Sequence, residues 1–471
     1  MPKPTFDQTE LFSDAARRAA FFRETLPDRR QRPLADYGEM LRSLAAPTPE
    51  AGLPADEVIG ALDEQMQPGL HAMAGRRFFG WVIGASHPVG VAADWLASAW
   101  GQNAGNHQAS PAAAATETVA AGWLLDLLGL PREASVGFVT GATVANFVCL
   151  AAARSEVLRR VGWDVEARGL FGAPPIKVVI GDDAHTTVFS ALQLLGLGHD
   201  RVVRVATDTQ GRIEAEAFAV ALKASEGPAI AVLQAGQINT GASDPFRRLM
   251  PFAHRHGAWI HVDGAFGLWA RASAQTAEQV AGVEEADSWA TDGHKWLQTP
   301  YDSGYAIIRD SQAHRRAMTA AASYLPEVAA GERDPSHFVP ELSRRARGFP
   351  SWAMIRHLGR AGIAAMIERH CALARRIAQA LESEPGISVL NQVCLNQIAV
   401  RFGSELPVAE GDALTQAVIA RLQADGTCFA GGARWRGRAI MRLSVISWQT
   451  DTTDADATVA AILSAWRACR G

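Results

Sequence analysis

Between about residues 85 and 355, short apolar runs alternate with stretches of helical period. The runs are Val136–Thr140, Lys177–Ile180, Val202–Val205, Ala229–Gln234, Trp259–Val262, Ser288–Ala290 and Tyr305–Ile308. Unbroken apolar runs of this kind read as strands covered on both faces. Strands separated by helices predict a mostly parallel seven-stranded α/β sheet with helices on both sides. Residues 1–85 predict a helical arm, interrupted at Pro27, Pro33, Pro47 and Pro54, where a missing N–H ends helices. In that arm Leu11, Ala15, Ala19 and Phe22 share one helical face, which needs a partner surface to leave water. After about residue 356 the pattern changes. A helix over Ile363–Leu381, strands near Gln397–Phe402 and Ile440–Val445, and helices Ala413–Ala424 and Ala455–Ala468 predict a smaller C-terminal α+β domain over 356–471. The domains expected are thus 1–85, 86–355 and 356–471. Thr319 to Arg347 holds Pro326, Gly331, Pro335 and Pro340 without a period, which predicts a long mobile lid.

Composition narrows the class. A chain of 471 residues, 48% hydrophobic, can bury more than one core. Its 45 Lys plus Arg against 49 Asp plus Glu leave no basic field, so no nucleic-acid partner is expected. The five cysteines (Cys149, Cys371, Cys394, Cys428, Cys469) are scattered without a CxxC pair, as in a reducing compartment. No stretch is long and apolar enough to span a bilayer. The N-terminus carries Asp7, Glu10 and Asp14 and lacks an apolar signal core. These features together predict a cytoplasmic protein without a membrane partner.

Four motifs carry candidate chemistry. Thr291-Asp292-Gly293-His294-Lys295-Trp296 follows a strand-like run, and a lysine among apolar neighbours is a candidate amine nucleophile, because desolvation favours its neutral form. His261-Val262-Asp263-Gly264-Ala265 puts a carboxylate at a strand's carboxyl end, where open α/β sheets place ligands; taken alone, Asp263 could equally cap the next turn. Gly137 to Asn146 runs from a strand through Gly141-Ala142-Thr143 into a helix, whose free N–H groups suit a phosphate. Asp182-Asp183-Ala184-His185 sits at another strand-to-helix junction, where His185 could stack on a flat cofactor.

In this order the motifs resemble the group II pyridoxal-phosphate-dependent decarboxylases, which include the aromatic-amino-acid and glutamate decarboxylases. Arg77-Phe78-Phe79-Gly80, Ala109-Ser110-Pro111 with Glu117-Thr118-Val119, Gly241-Ala242-Ser243-Asp244-Pro245 and Ser343-Arg344-Arg345 extend the resemblance over roughly residues 70–370. It implies an aspartate-aminotransferase-like fold of type I and a homodimer. It implies pyridoxal 5'-phosphate held as a Schiff base on Lys295, with Asp263 on the ring nitrogen, His185 stacked on the ring and Ala265 beneath it. Ala142, Thr143 and His294 would contact the phosphate. Gln237 or Asn239 would reach the ring hydroxyl, with Asn239 preferred. Arg442, in the run Met441 to Val445, resembles the arginine that grips the substrate carboxylate; it also reads as an ordinary strand-end arginine.

Departures from the family pattern qualify the activity. The lid tyrosine that protonates the product carbanion falls on Pro335, leaving His337 or Tyr324 as candidate donors. His337 is preferred, because imidazole titrates near ~6.5 and can donate at neutrality. Asp292 stands where the family often has asparagine, and Gly84 where its aromatic decarboxylases carry threonine. Gln102 to Gln108 is polar where those enzymes are apolar, so the expected substrate is a polar or an aromatic L-amino acid. The expected activity is amino-acid decarboxylation. Aldehyde synthesis with oxygen and aldol-type cleavage are alternatives on the same scaffold, and a non-catalytic cofactor-binding relative is the alternative of another class.

Overall fold

The computed structural model of the protein describes residues 6–224, 227–319 and 332–470. The lid expectations placed on Tyr324, Pro326 and Gly331 lie outside the described residues.

Among the described residues, seven strands form the large sheet. They are β1 (Ser135–Val139), β2 (Lys177–Gly181), β3 (Val203–Val205), β4 (Ala229–Gln234), β5 (Trp259–Asp263), β6 (Ser288–Asp292) and β7 (Gly304–Ile308), in the order β1-β7-β6-β5-β4-β2-β3. All seven expected strands are present, with ends displaced by at most two residues. The neighbours from β6 through β5, β4 and β2 to β3 run parallel, whereas β7 is antiparallel to both β1 and β6. The carboxyl ends of β1, β2, β4, β5 and β6 therefore share one edge.

The sheet is covered on both faces, which is why its strands read as apolar runs. Leu124, Phe218, Leu249 and Trp289 pack on one side. The helix Ala142–Arg159 brings Val148, Cys149 and Ala152 to the other. Trp259 and Trp289 are fully buried, yet neither indole N–H is stranded. Trp259 Nε1 donates to Ser288 Oγ at 2.9 Å and Trp289 Nε1 to the Val283 carbonyl at 2.8 Å. Truncating either ring to alanine would cost about 3–5 kcal/mol.

The C-terminal sheet is antiparallel: β8 (Ile387–Val389), β9 (Gln397–Phe402), β10 (Gly431–Trp435) and β11 (Arg438–Ser444), ordered β10-β11-β9-β8. The sequence pattern did not reveal β8 or β10. One is three residues long, and the other opens Gly431-Gly432, which has little strand propensity of its own and is held by pairing with β11. A helical run, Gly348–Glu382, crosses the expected boundary at 355–356 and breaks at Gly359, whose φ is 60°. The arm holds helices Gln8–Thr25, Tyr37–Leu44 and Ala55–Met66, and the first two bury no residue within the chain. Among the described residues no helix is long and apolar enough to cross a membrane.

Candidate active site

The shared edge of the strands opens into a cavity of about 450 Å³. Lys295, Asp263, His185, Ala142, Thr143, Ala265, His294 and Arg442 all line it. Four separate sequence motifs and a distant strand therefore converge on one space.

Lys295 follows β6 in a turn. Its Nζ lies 2.8 Å from Asp292 Oδ2. The expected apolar setting is thus incomplete, because the amine is held by a buried carboxylate. Asp292 Oδ1 also accepts the Ala142 N–H at 2.6 Å and lies 3.6 Å from His294 Nε2. One buried side chain ties the lysine turn to the start of the helix Ala142–Arg159. The next residue, Trp296, is buried and donates its Nε1–H to His370 Nδ1 at 3.0 Å, while His370 Nε2 donates to the Ser447 carbonyl at 2.9 Å.

Asp263 closes β5 and is buried. Burial raises its carboxyl pKa, opposed by the charges of His185 and Lys295, and its Oδ1 accepts the Ala265 N–H at 3.2 Å. A carboxyl strained in this way favours a cationic N–H partner. His185 caps the helix Thr186–Leu194: Thr187 N–H donates to its Nδ1 at 3.3 Å, and Thr187 Oγ1 lies 2.8 Å away. With Nδ1 accepting, the proton sits on Nε2. Burial lowers its pKa, favouring the neutral ring.

At the other end, the helix Ala142–Arg159 begins after Gly141 without a side-chain cap. Gly141 and Gly304 permit this approach, since a Cβ on Gly304 would lie 2.5 Å from Gly141 Cα. His294 Nδ1 is buried without a hydrogen-bond partner among the described residues. Burial lowers the pKa of this ring too. Asp292 takes the Ala142 N–H, and the N–H groups that follow at this helix start, beside an orphaned imidazole nitrogen, suit a phosphate. Together, a phosphate seat, an amine and a buried carboxyl fit a flat aldehyde cofactor of the pyridoxal phosphate type.

Arg442 projects from β11. Burial pushes it down to about 10. Its Nη1 donates to Asn239 Oδ1 at 3.3 Å. Asn239 does not line the cavity wall and meets Arg442 instead. Gln237 Oε1 is likewise engaged, accepting the N–H groups of Asn239 at 2.6 Å and Thr240 at 3.1 Å.

Two sequence expectations need correction, and one departure finds its physical reason. His337 does not line the cavity of its own chain. It sits on the short turn Pro335–Phe338, which packs against β1 and the helix Ser311–Met318, and burial and then Arg315 lower its pKa. Gln102 to Gln108 are also absent from the wall; His107 Nδ1 instead meets Asp334 at 2.6 Å. Gly84 has no room for a side chain, because a Cβ there would lie 2.5 Å from the Lys295 carbonyl oxygen. Conversely, Trp81, Ile83, Thr187, Phe266 and Asp302 line the cavity and escaped the sequence reading. Only Thr187 carried a local signal, two residues after the capping His185.

Comparison with known proteins agrees with this arrangement. The family model described as the pyridoxal-dependent decarboxylase conserved domain matches residues 38–402. An aromatic-L-amino-acid decarboxylase from Bacillus atrophaeus is 27% identical over 433 residues, covering 88% of this chain and 86% of that protein. Among solved structures, Oryza sativa TDC with PLP and tryptamine superposes with a TM-score of 0.92 at 22% identity, covering 100% of both chains. Rhodiola rosea 4-hydroxyphenylacetaldehyde synthase superposes with a TM-score of 0.87 at 21% identity, covering 98% of this chain and 99% of that one. With a family match over most of its length and the type I fold of these structures, the chain belongs to the pyridoxal-dependent decarboxylase family and is a pyridoxal-phosphate-dependent amino-acid decarboxylase.

Proposed function

We propose that the chain removes the α-carboxylate of an aromatic or polar L-amino acid in the cavity around Lys295. The carrying observation is the convergence of Lys295, Asp263, His185, His294 and Arg442 on one cavity. Lys295 supplies the amine that holds the cofactor covalently, and Asp292 fixes where that amine sits. Ala142, Thr143 and His294 would seat the phosphate, and Ala265 would support the ring. Asp263 holds a proton on the ring nitrogen. Bound pyridoxal phosphate supplies the electron sink for the bond broken at Cα. His185 would stack on the ring, with its Nε2–H free to meet the substrate. Arg442, whose Nη1 meets the neutral Asn239 amide oxygen, grips the α-carboxylate. Trp81 lines the cavity and leads into a buried aromatic stack: Trp81 and Phe429 lie 5.5 Å apart at 30°, and Phe429 and Phe78 4.9 Å apart at 4°. Flat side chains stack well on such a surface, which favours the aromatic half of the substrate range.

A second reading has its own support. Pro335 occupies the position that the resemblance gives to the proton-donating tyrosine, and one structural neighbour is an aldehyde synthase. In that outcome amino acid, O2 and water yield aldehyde, CO2, ammonia and H2O2. A panel of L-amino acids assayed for CO2, amine, aldehyde, ammonia and peroxide separates the readings. CO2 with equimolar amine supports the first, and CO2 with aldehyde and peroxide the second. Absence of CO2 from every member would overturn both.

We also propose a homodimer in the cytoplasm. The expected arm face (Leu11, Ala15, Ala19, Phe22) is only half-buried, and Phe12 and Phe21 are exposed beside it. Trp95, Leu96 and Trp100 are exposed too, the last two edging an apolar groove of about 530 Å³. A second copy is the economical cover for this much apolar surface. A fully active monomer by light scattering would refute it. The free cysteines support a reducing compartment.

A further inference from the structure

The β10–β11 hairpin touches the large domain at two places, and each touch leads to a residue of the cavity. Trp435 pairs with Arg438, so Arg436 and Gly437 form a two-residue turn. Their φ values are 49° and 76°. Two positive φ values mark a type I′ turn, whose first position favours Asn, Asp or Gly. Arginine there is strained, and strain of this kind calls for an explanation in what the side chain does.

The side chain lies on the large domain. Arg436 Nη2 sits 2.8 Å from Asp183 Oδ2, 2.7 Å from Thr207 Oγ1 and 3.2 Å from the Thr207 carbonyl, with the Asp208 carbonyl also in contact. Thr207 Oγ1 donates to the same Asp183 carboxylate. Asp183 lies two residues before His185, on the segment that delivers this ring to the cavity. Its carbonyl accepts Gln237 Nε2 at 3.4 Å. Gln237 Oε1 accepts the Asn239 N–H at 2.6 Å, and Asn239 Oδ1 accepts Arg442 Nη1 at 3.3 Å. Arg442 belongs to the same hairpin. The bonds therefore close a ring: hairpin tip, His185 segment, the 237–239 turn, and back to the hairpin at Arg442.

We propose that Arg436 and Asp183 are positioning residues, a clasp that sets His185 and Arg442 at a fixed separation across the cavity. A single half-exposed ion pair would hold little by itself. Here the guanidinium joins two loops, one holding Thr207 and Asp208 and the other Asp183, and the second meets the arginine's own hairpin again through Gln237 and Asn239. Both ends of the substrate grip are thus referenced to one rigid turn. This inference rests on the roles given to His185 and Arg442.

The test uses the full-length holoenzyme. Arg436→Asn gives the turn a residue it prefers, so the melting temperature should hold or rise. The clasp is gone, so kcat/KM should fall about tenfold, short of the roughly hundredfold that a 1 Å misplacement can cause. The visible circular dichroism of bound cofactor should change, while cofactor content stays the same. Arg436→Asp should be worse, since two carboxylates then face each other. The double exchange D183R/R436D should recover part of the loss relative to R436D. Unchanged kcat/KM and dichroism in R436N, or a double exchange no better than R436D, overturns the clasp. Arg442→Ala and His185→Ala belong in the same panel. If both keep full kcat/KM, the roles of those two residues fail; if they lose it while R436N does not, only the clasp fails.

Discussion

The two ends of the cavity are built by different means. The cofactor end rests on strand termini and helix starts: Asp263 closes β5, Asp292 closes β6, His185 caps a helix, and Ala142 opens one. Its groups are buried or half-buried, and many are held by main-chain hydrogen bonds. The substrate end is assembled from loops and from the other domain. Trp81 is 47% exposed with a positive φ, Asp302 lies in a loop, and Arg442 comes from the small sheet. The first kind of wall fixes a reaction type, because its geometry follows from the sheet. The second can change its side chains without disturbing the sheet, so substrate choice resides there.

The contrast predicts the sharpest losses at the cofactor end. Lys295→Ala should lower turnover by about a thousandfold or more, some 4 kcal/mol of barrier. Borohydride reduction of wild-type enzyme followed by peptide mapping should find the cofactor on the peptide holding Lys295. Cofactor on another lysine would dissolve the assignment of this end.

A smaller effect should come from the frame behind it. His261, His314 and His370 are buried, and burial pushes each down to about 3. Their folded values lie below the unfolded value of ~6.5. Their stabilisation is therefore complete above about pH 6.5 and is lost as pH falls toward 3, by up to ~1.4 kcal/mol per pH unit each. Melting temperature should drop steeply on acidification through this window. His370→Phe removes one such group but leaves Trp296 Nε1 and the Ser447 carbonyl unpaired. It should cost about 1–3 kcal/mol at pH 7.5 and give a shallower acid slope than wild type. An unchanged slope would show that His370 is not held neutral.

The same contrast accounts for what could be read in the sequence. The strands of the large sheet were legible because burial on both faces leaves uninterrupted apolar runs. Lys295, Asp263, His185 and Ala142–Thr143 were legible because strand-to-helix junctions keep their chemistry within a few residues. The Lys295–Asp292 pair was half legible: Asp292 stood out as a departure, but only the folded turn brings it to the amine. Trp81, Asp302 and the link from Trp296 to His370 were not legible, because nothing local marks a residue whose partner lies far along the chain. The hairpin strand β10 was hidden by its glycines, and with it the turn at Arg436.

At the substrate end the expected losses are milder and selective. Trp81→Ala should raise KM for an aromatic substrate about tenfold, some 1.4 kcal/mol, with kcat changed less. Trp81→Phe should keep most of the affinity but reorder the preferred substrates. Equal losses for flat and for small polar amino acids would remove Trp81 from recognition and weaken the division drawn between the two walls.

The smallest effect should come from His337, which the sequence marked as a proton donor. The structure places it outside its own cavity, on a turn packed against β1, with Arg315 and Asp334 the charges that act on it. Burial and then that arginine push its pKa down, opposed by Asp334, so the ring has less proton to give. His337→Phe should therefore change kcat by less than about twofold and leave the ratio of amine to aldehyde as it was. The informative measurement is that ratio with kcat across pH 6 to 8. A donor with a depressed pKa would impose a fall in amine yield as pH rises, and the fall would vanish in the variant. If it does, His337 reaches a reacting centre, and by its position that centre belongs to a second copy of the chain. The proposed dimer would then supply part of the catalytic wall that a single chain lacks.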